Sequence, residues 1–158
     1  MTTHRERKRL SYSAEEMFAL VADIERYPEF LPWCSHLVIR SRREEAGKTT
    51  LIADMTISFK IVRETFTSKV VLDPAARRID VAYINGPFRY LTNIWRFDPE
   101  ADGGCAIDFF IDFEFRSRAL GALIGAVFHL AIEKLVAAFE ARAKELHRYP
   151  SGAEPRPV

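Results

Sequence analysis

The chain has 158 residues, 48% of them hydrophobic and 12% aromatic, and a formal net charge of +1. This fits one domain with a real core and excludes global disorder. With a charge so near zero, nothing global points to a nucleic-acid partner. Local basic clusters stand at Arg5, Arg7, Lys8 and Arg9, at Arg40, Arg42 and Arg43, at Arg77 and Arg78, and at Arg116 and Arg118. They read either as solvated strand ends and a helix start or as contacts to an anionic lipid surface or an RNA backbone.

In chain order, residues 4–10 form a short polar strand. Ser13 with Glu16 three positions on makes a capping box. It opens a helix carrying Met17, Phe18, Leu20, Val21 and Ile24, and Tyr27-Pro28 is expected to stop that helix. Residues 27–34, YPEFLPWC, form a second short helix or an irregular segment rich in large apolar groups. Six strands follow, separated by turn residues: 35–44, 48–58, 64–72, 77–84, 89–97 and 105–115. Alternation puts Leu51, Ala53, Met55 and Ile57 on one face, then Phe66, Val70 and Leu72, then Ile79, Val81 and Tyr83, then Leu91, Asn93, Trp95 and Phe97. Between Thr49 and Leu72 no Gly or Pro occurs, yet an unbroken strand there would span about 80 Å. A turn is therefore required near 59–63. Its apolar tip, Phe59, Ile61 and Val62, either folds over the core or serves as a lid or membrane-touching tip.

Residues 107–115 place Ile107, Phe109, Ile111, Phe113 and Phe115 on one face and Asp108, Asp112 and Glu114 on the other. From Arg118 to about His147 the period becomes helical, with an apolar stripe of Leu120, Ile124, Val127, Phe128, Ala131, Leu135, Phe139 and Leu146. Such a helix is roughly 45 Å long and needs a wide apolar surface to lie on. The order implies an α+β fold: a curved antiparallel sheet gripping one long C-terminal helix, with room for a cavity between them. Residues 1–148 are expected to form a single domain and 149–158 a disordered tail.

Little here suits polar catalysis. The carboxylates of Asp108, Asp112 and Glu114 read as a wet sheet face, with Arg5, Arg7 and Arg9 of the first strand as cross-ladder partners. Cys34 and Cys105 are isolated, which points to a reducing compartment. Cys34 with His36 gives too few ligands for a metal. No secretory leader is recognisable, and no charge-free apolar run reaches the length of a membrane span. A cytoplasmic protein is expected, with a peripheral membrane location open. The aromatics Phe30, Trp33, Phe88, Trp95 and Phe128, with Leu31, come from separate elements and could line one pocket or simply form core. Asn93, Tyr83, Ser68 and His129 are the polar groups on or beside that face.

Three blocks then carry a resemblance: SYSAEEMFALVADIERYPEFLPWC at 11–34, GPFRYLTNIWRF at 86–97 and DFFIDFEFRSR at 108–118. In order and spacing they resemble the START-like, helix-grip proteins of the polyketide cyclase/dehydrase superfamily. More narrowly, they are similar to the coenzyme Q-binding proteins of mitochondria and their bacterial relatives, the RatA-like ribosome-association toxins. The resemblance implies an apolar tunnel between sheet and helix, no resident cofactor, and ubiquinone or a related isoprenoid lipid as bound ligand. The ligand set would be Phe30, Leu31, Trp33, Phe66, Tyr83, Phe88, Leu91, Asn93, Trp95, Phe109, Ile124, Phe128 and His129; His129, beside the buried stripe, reads either as a satisfied rim histidine or as a hydrogen-bond partner of a quinone carbonyl. The implied partners are the lipid, a membrane surface and respiratory complexes or, alternatively, the large ribosomal subunit; nothing points to DNA. A cyclase-like enzyme of the wider superfamily is the third reading, and it lacks an acid–base pair.

Overall fold

Alternating apolar and polar residues make seven strands in this computed structural model, which describes residues 2–147. The elements are β1 (Thr2–Leu10), α1 (Ala14–Ala22), a 3-10 turn (Ile24–Arg26), α2 (Tyr27–Phe30), β2 (Cys34–Glu45), β3 (Lys48–Phe59), β4 (Val62–Asp73), β5 (Arg78–Asn85), β6 (Phe88–Pro99), β7 (Cys105–Phe115) and α3 (Arg118–Leu146). The expected tail at 149–158 lies outside the described residues. The strands form one antiparallel sheet in the order β1-β7-β6-β5-β4-β3-β2. It is a meander of hairpins, with β1 returning to pair with β7. The α+β helix-grip architecture is therefore as expected.

The two faces separate as alternation requires. Ile107, Phe109 and Phe113 of β7 are buried. The opposite face is laced by ion pairs: Arg5 and Arg96 approach Asp108 at 3.4 and 3.6 Å, and Arg89 approaches Glu114 at 3.6 Å. Thr3 donates to Asp112 at 2.9 Å. Arg7 and Arg9 instead reach Asp98 and Glu100. The arginines of these pairs are half or more exposed, so each pair contributes little stability, although Asp108, expected on the wet face, is itself buried.

The helices diverge from expectation at one boundary. The capping box is present: Ser13 Oγ accepts from the Glu16 N–H at 3.0 Å, and Glu16 Oε1 accepts from the Ser13 N–H at 2.8 Å. But α1 ends at Ala22, well before Tyr27-Pro28. Tyr27 is itself helical, with φ −53° and ψ −41°. Pro28 sits in the first turn of α2, where its missing N–H removes no helical hydrogen bond. The Tyr27 hydroxyl donates to the Val21 carbonyl and tucks α2 beneath the end of α1.

β3 and β4 join through a two-residue tip, Lys60-Ile61, with Lys60 at φ 54°. Ile61 is 98% exposed, whereas Phe59 turns inward against Trp33. Register shifts at Cys34/His36, Ile39/Ser41, Thr67/Ser68 and Phe88/Tyr90 bend the sheet. Gly86 holds the β5–β6 turn against β4 at φ +147°, and a Cβ there would lie 2.5 Å from Phe66 Cβ and 2.9 Å from Phe66 Cα. Gly86→Ala is expected to destabilise the protein by more than about 1 kcal/mol; a urea midpoint equal to wild type would refute this.

α3 packs closest to β7, α1 and α2. Its C-terminal half is tied down by Lys8–Glu140 at 2.6 Å, Arg142–Glu29 at 2.7 Å and His147–Glu16 at 3.1 Å. Phe128, Ile132, Phe139 and Ala143 are buried, while Leu146, expected on the same stripe, is 53% exposed. No Asp, Glu, Lys or Arg lies between Ala119 and Ile132. The charge-free run is thus shorter than a membrane span, as expected, yet by length and composition alone α3 is long and apolar enough to cross a membrane, with a mean hydropathy of 1.8 over 18 residues. In this fold only 17% of that stretch is buried: one side roofs the sheet, and Leu123 and Leu130 face outward.

Candidate functional site

A cavity of about 290 Å³ lies between α3 and the concave face of the sheet. It exists because α3 meets the sheet at β7 and then passes over β3–β6 at a distance that side chains only partly fill. Every strand from β2 to β7 contributes inward residues: Leu37; Ala53, Met55, Ile57 and Phe59; Phe66, Ser68 and Val70; Ile79 and Val81; Phe88, Leu91, Asn93 and Trp95; and Phe109, Ile111, Phe113 and Phe115. The roof is Ile124, Val127, Phe128, Ala131, Ile132, Leu135 and Phe139. Ile24, Tyr27, Leu31, Pro32, Trp33 and Cys34 close one end. The wall is almost wholly apolar, and an apolar void of about 150 Å³ is already large enough to stay dry and bind a benzene-sized guest.

The wall is rigidified by aromatic packing. Trp95 meets Phe109 at 4.8 Å and Phe139 at 5.3 Å; Phe88 stacks on Phe115 at 4.7 Å and meets Phe66 edge-on at 5.4 Å. Trp33 takes φ 67°, a left-handed conformation that costs a bulky residue about 1–3 kcal/mol. Two contacts hold it there. Its ring meets Phe59 at 5.5 Å, and its carbonyl accepts from the Ser58 N–H at 2.8 Å.

Of the side chains nominated from sequence, all line the cavity except Phe30, Tyr83 and His129. Phe30 packs on Tyr27 and Phe139 behind the wall, with the Arg142 guanidinium over its outer face. Tyr83 is committed elsewhere: its hydroxyl accepts from the Phe88 N–H at 3.1 Å. His129 follows Phe128 by one position, about 100° around the helix, and so lands on the exposed side, facing His4 at 6.3 Å. It is not placed to meet a group inside the cavity. Sequence reasoning left out Leu37, Val70, Ile79, Val81, Ile111, Phe113, Phe115 and Leu135 as lining residues, although alternation and the helical stripe already carried them.

Few polar groups face the interior. Asn93 Nδ2 donates to the Phe110 carbonyl, and its Oδ1 accepts from Trp95 Nε1, both at 2.9 Å. Burial raises the Tyr27 hydroxyl above its ordinary range. The Cys34 thiol on the cavity wall and the Cys105 thiol in the core are each pushed by burial from 9.0 up to about 11. Folding therefore holds both thiols protonated where the unfolded chain would ionise. Their contribution is complete below about pH 9 and is lost as pH rises toward 11. The melting temperature is expected to fall between pH 9 and 11, and less steeply in the Cys34→Ser, Cys105→Ser double variant. Identical slopes for the two proteins would refute the assignment. Among the described residues no group of three or more metal-ligating side chains occurs.

Comparison with known proteins places this architecture. Residues 10–140 match the family described as polyketide cyclase / dehydrase and lipid transport. A ribosome association toxin RatA of Rickettsia prowazekii is 38% identical over 149 residues, covering 92% of this chain and 99% of the relative. A mitochondrial coenzyme Q-binding protein, the COQ10 homolog B of Xenopus laevis, is 31% identical over 147 residues, covering 91% of this chain and 59% of the relative. Among solved structures, the 18 kDa protein CC1736 of Caulobacter crescentus matches with a TM-score of 0.80 at 38% identity, over 94% of this chain and all of that one. A START superfamily protein of Mycobacterium smegmatis matches with a TM-score of 0.77 at 19% identity, over 91% and 98% of the two chains, a likeness of fold alone.

Proposed function

The chain belongs to the polyketide cyclase / dehydrase and lipid transport family, which contains RatA-like and coenzyme Q-binding members, and we propose that it binds ubiquinone or a similar isoprenoid lipid without catalysis. The observation that carries this reading is the cavity of about 290 Å³, walled by apolar side chains from six strands and the long helix. Burial of an apolar guest there is worth about 25 cal/mol per Å² removed from water. The volume suits a quinone ring and its first isoprene units, with the rest of the tail leaving through an opening. No Lys, Arg, His, Asp or Glu lines the wall to serve as acid or base.

Quinone delivery and support of respiratory electron transport follow from such sequestration. Loading needs contact with a bilayer. The uncharged first half of α3, with Leu123 39% and Leu130 52% exposed and Arg116 and Arg118 at its start, suits a protein in the cytoplasm that visits the membrane surface. The test is mass spectrometry of the organic extract of protein purified from a quinone-producing host. Stoichiometric isoprenoid supports the reading; a clean extract, repeated after quinone supplementation, overturns it.

A second reading is favoured by the relatives named as ribosome association toxins: binding to the large ribosomal subunit and blockage of subunit joining. On β2, Arg40 is already paired with Asp54 and Arg43 lies 3.6 Å from Glu45, while Arg42 is exposed. Reversing the charge of Arg40, Arg42 and Arg43 should abolish any shift in ribosome profiles and weaken its salt dependence. Unchanged profiles would remove this reading's support on β2.

A further inference from the structure

Ser68 is the unexplained group on the cavity wall. It is 5% exposed, lies in the middle of β4, and faces the interior. Regular alternation along β4, whose register with β3 is unbroken, sets Thr67 outward, where it bonds Asp54, and Ser68 inward between Ala53 of β3 and Tyr83 of β5. The Ser68 hydroxyl makes no hydrogen bond to any described residue. Its oxygen opens onto the cavity, for it is not among the fully buried side-chain atoms that lack a partner, and a hydroxyl aimed into an apolar space offers its donor to whatever fills that space. The neighbouring Asn93 does not share this condition, because its amide holds Trp95 and the Phe110 carbonyl. No Lys, Arg, His, Asp or Glu lines the cavity.

We propose that Ser68 is the polar anchor of this cavity: its hydroxyl donates to one uncharged, carbonyl-type oxygen of the ligand, so that the site takes neutral oxygenated lipids and rejects ionised ones. This rests on the lipid-binding reading above and specifies its ligand. A quinone or an ester oxygen satisfies Ser68 and brings no charge. A fatty-acid carboxylate would be stripped of water with one hydroxyl to meet it and no cation, a large desolvation cost without compensation. A pure hydrocarbon would fill the space but leave the hydroxyl unmet, which a site built around a hydrogen bond penalises.

Trp33 and Trp95 both line the cavity, so quenching of their emission by a benzoquinone with a two-isoprene tail reports binding. The same prenyl chain on an oxygen-free ring, and palmitate, serve as competitors. The decisive pair is Ser68→Thr and Ser68→Val, which match in shape and differ in the hydroxyl. Ser68→Ala provides a smaller third variant, with melting curves to confirm folding. Thr is expected to keep quinone affinity, while Val and Ala lose roughly three- to tenfold with hydrocarbon affinity unchanged. Palmitate should compete at least tenfold more weakly than the quinone. Equal affinity in the Thr and Val variants, or palmitate binding as tightly as quinone, overturns the anchor while leaving lipid binding intact. Wild-type protein that binds none of the three probes overturns both.

Discussion

Ala53→Phe is expected to abolish quinone binding while leaving the protein folded. Ala53 is 2% exposed, pairs with Ser68 across the β3–β4 ladder, and lines the cavity. In a filled core, a small-to-large change of this kind costs about 1–3 kcal/mol through strain. Here the new ring enters existing space, and its burial returns about 25 cal/mol per Å². Strain and burial then nearly offset, so the melting temperature should stay near or above the wild-type value. The ligand loses its volume beside Ser68, and affinity should fall at least a hundredfold, which corresponds to about 2.7 kcal/mol. Calorimetric titration with a short-tailed quinone, beside a thermal melt, reads both quantities. A folded variant that binds as tightly as wild type would place the ligand somewhere other than this cavity.

Phe97→Ala is expected to do the opposite, removing stability at a residue that does not itself line the cavity. Phe97 is 1% exposed. Its ring lies parallel to Trp95 at 6.2 Å and edge-on to Phe18 of α1 at 5.7 Å. It joins the sheet to α1 behind the site. The loss should be about 3–5 kcal/mol, a large share of the roughly 5–15 kcal/mol that such domains possess. Urea unfolding followed by tryptophan emission measures it. A loss below about 1 kcal/mol would mean that α1 can settle onto β6 and that this packing is not specific.

The two variants bracket one property of the fold. α3 is held by ion pairs and packing at its C-terminal half, against β1, α1 and α2, and passes over the open sheet at the other. Stability is concentrated where Phe97, Phe139 and Trp95 meet, and empty volume where α3 roofs β3–β6. A ligand can fill that volume without the core that holds the helix having to rearrange.

Most of the architecture was legible in the residues themselves because it is written in local periods. Alternation in Leu51–Ile57, Leu91–Phe97 and Ile107–Phe115 named the inward face of each strand, since neighbouring side chains on a strand must point to opposite sides. Ser13 and Glu16 marked the start of α1, because a capping box closes on itself within one turn. The change of period after Phe115 announced the long helix. What alternation could not supply was the state of each inward polar group. Whether Asn93, Tyr83 or Ser68 is free depends on hydrogen bonds to the Phe110 carbonyl, Trp95 and the Phe88 N–H, and for Asn93 and Phe110 these join separate strands. The same holds for His129, which one step of helical rotation carries out of the site, and for Trp33, whose left-handed backbone is held by Phe59 and Ser58. Local periods suffice to specify an apolar sheet under a long apolar helix. That a gap persists between them, with the Ser68 hydroxyl facing it, emerges only on folding, because both depend on how side chains distant in sequence fail to fill one space.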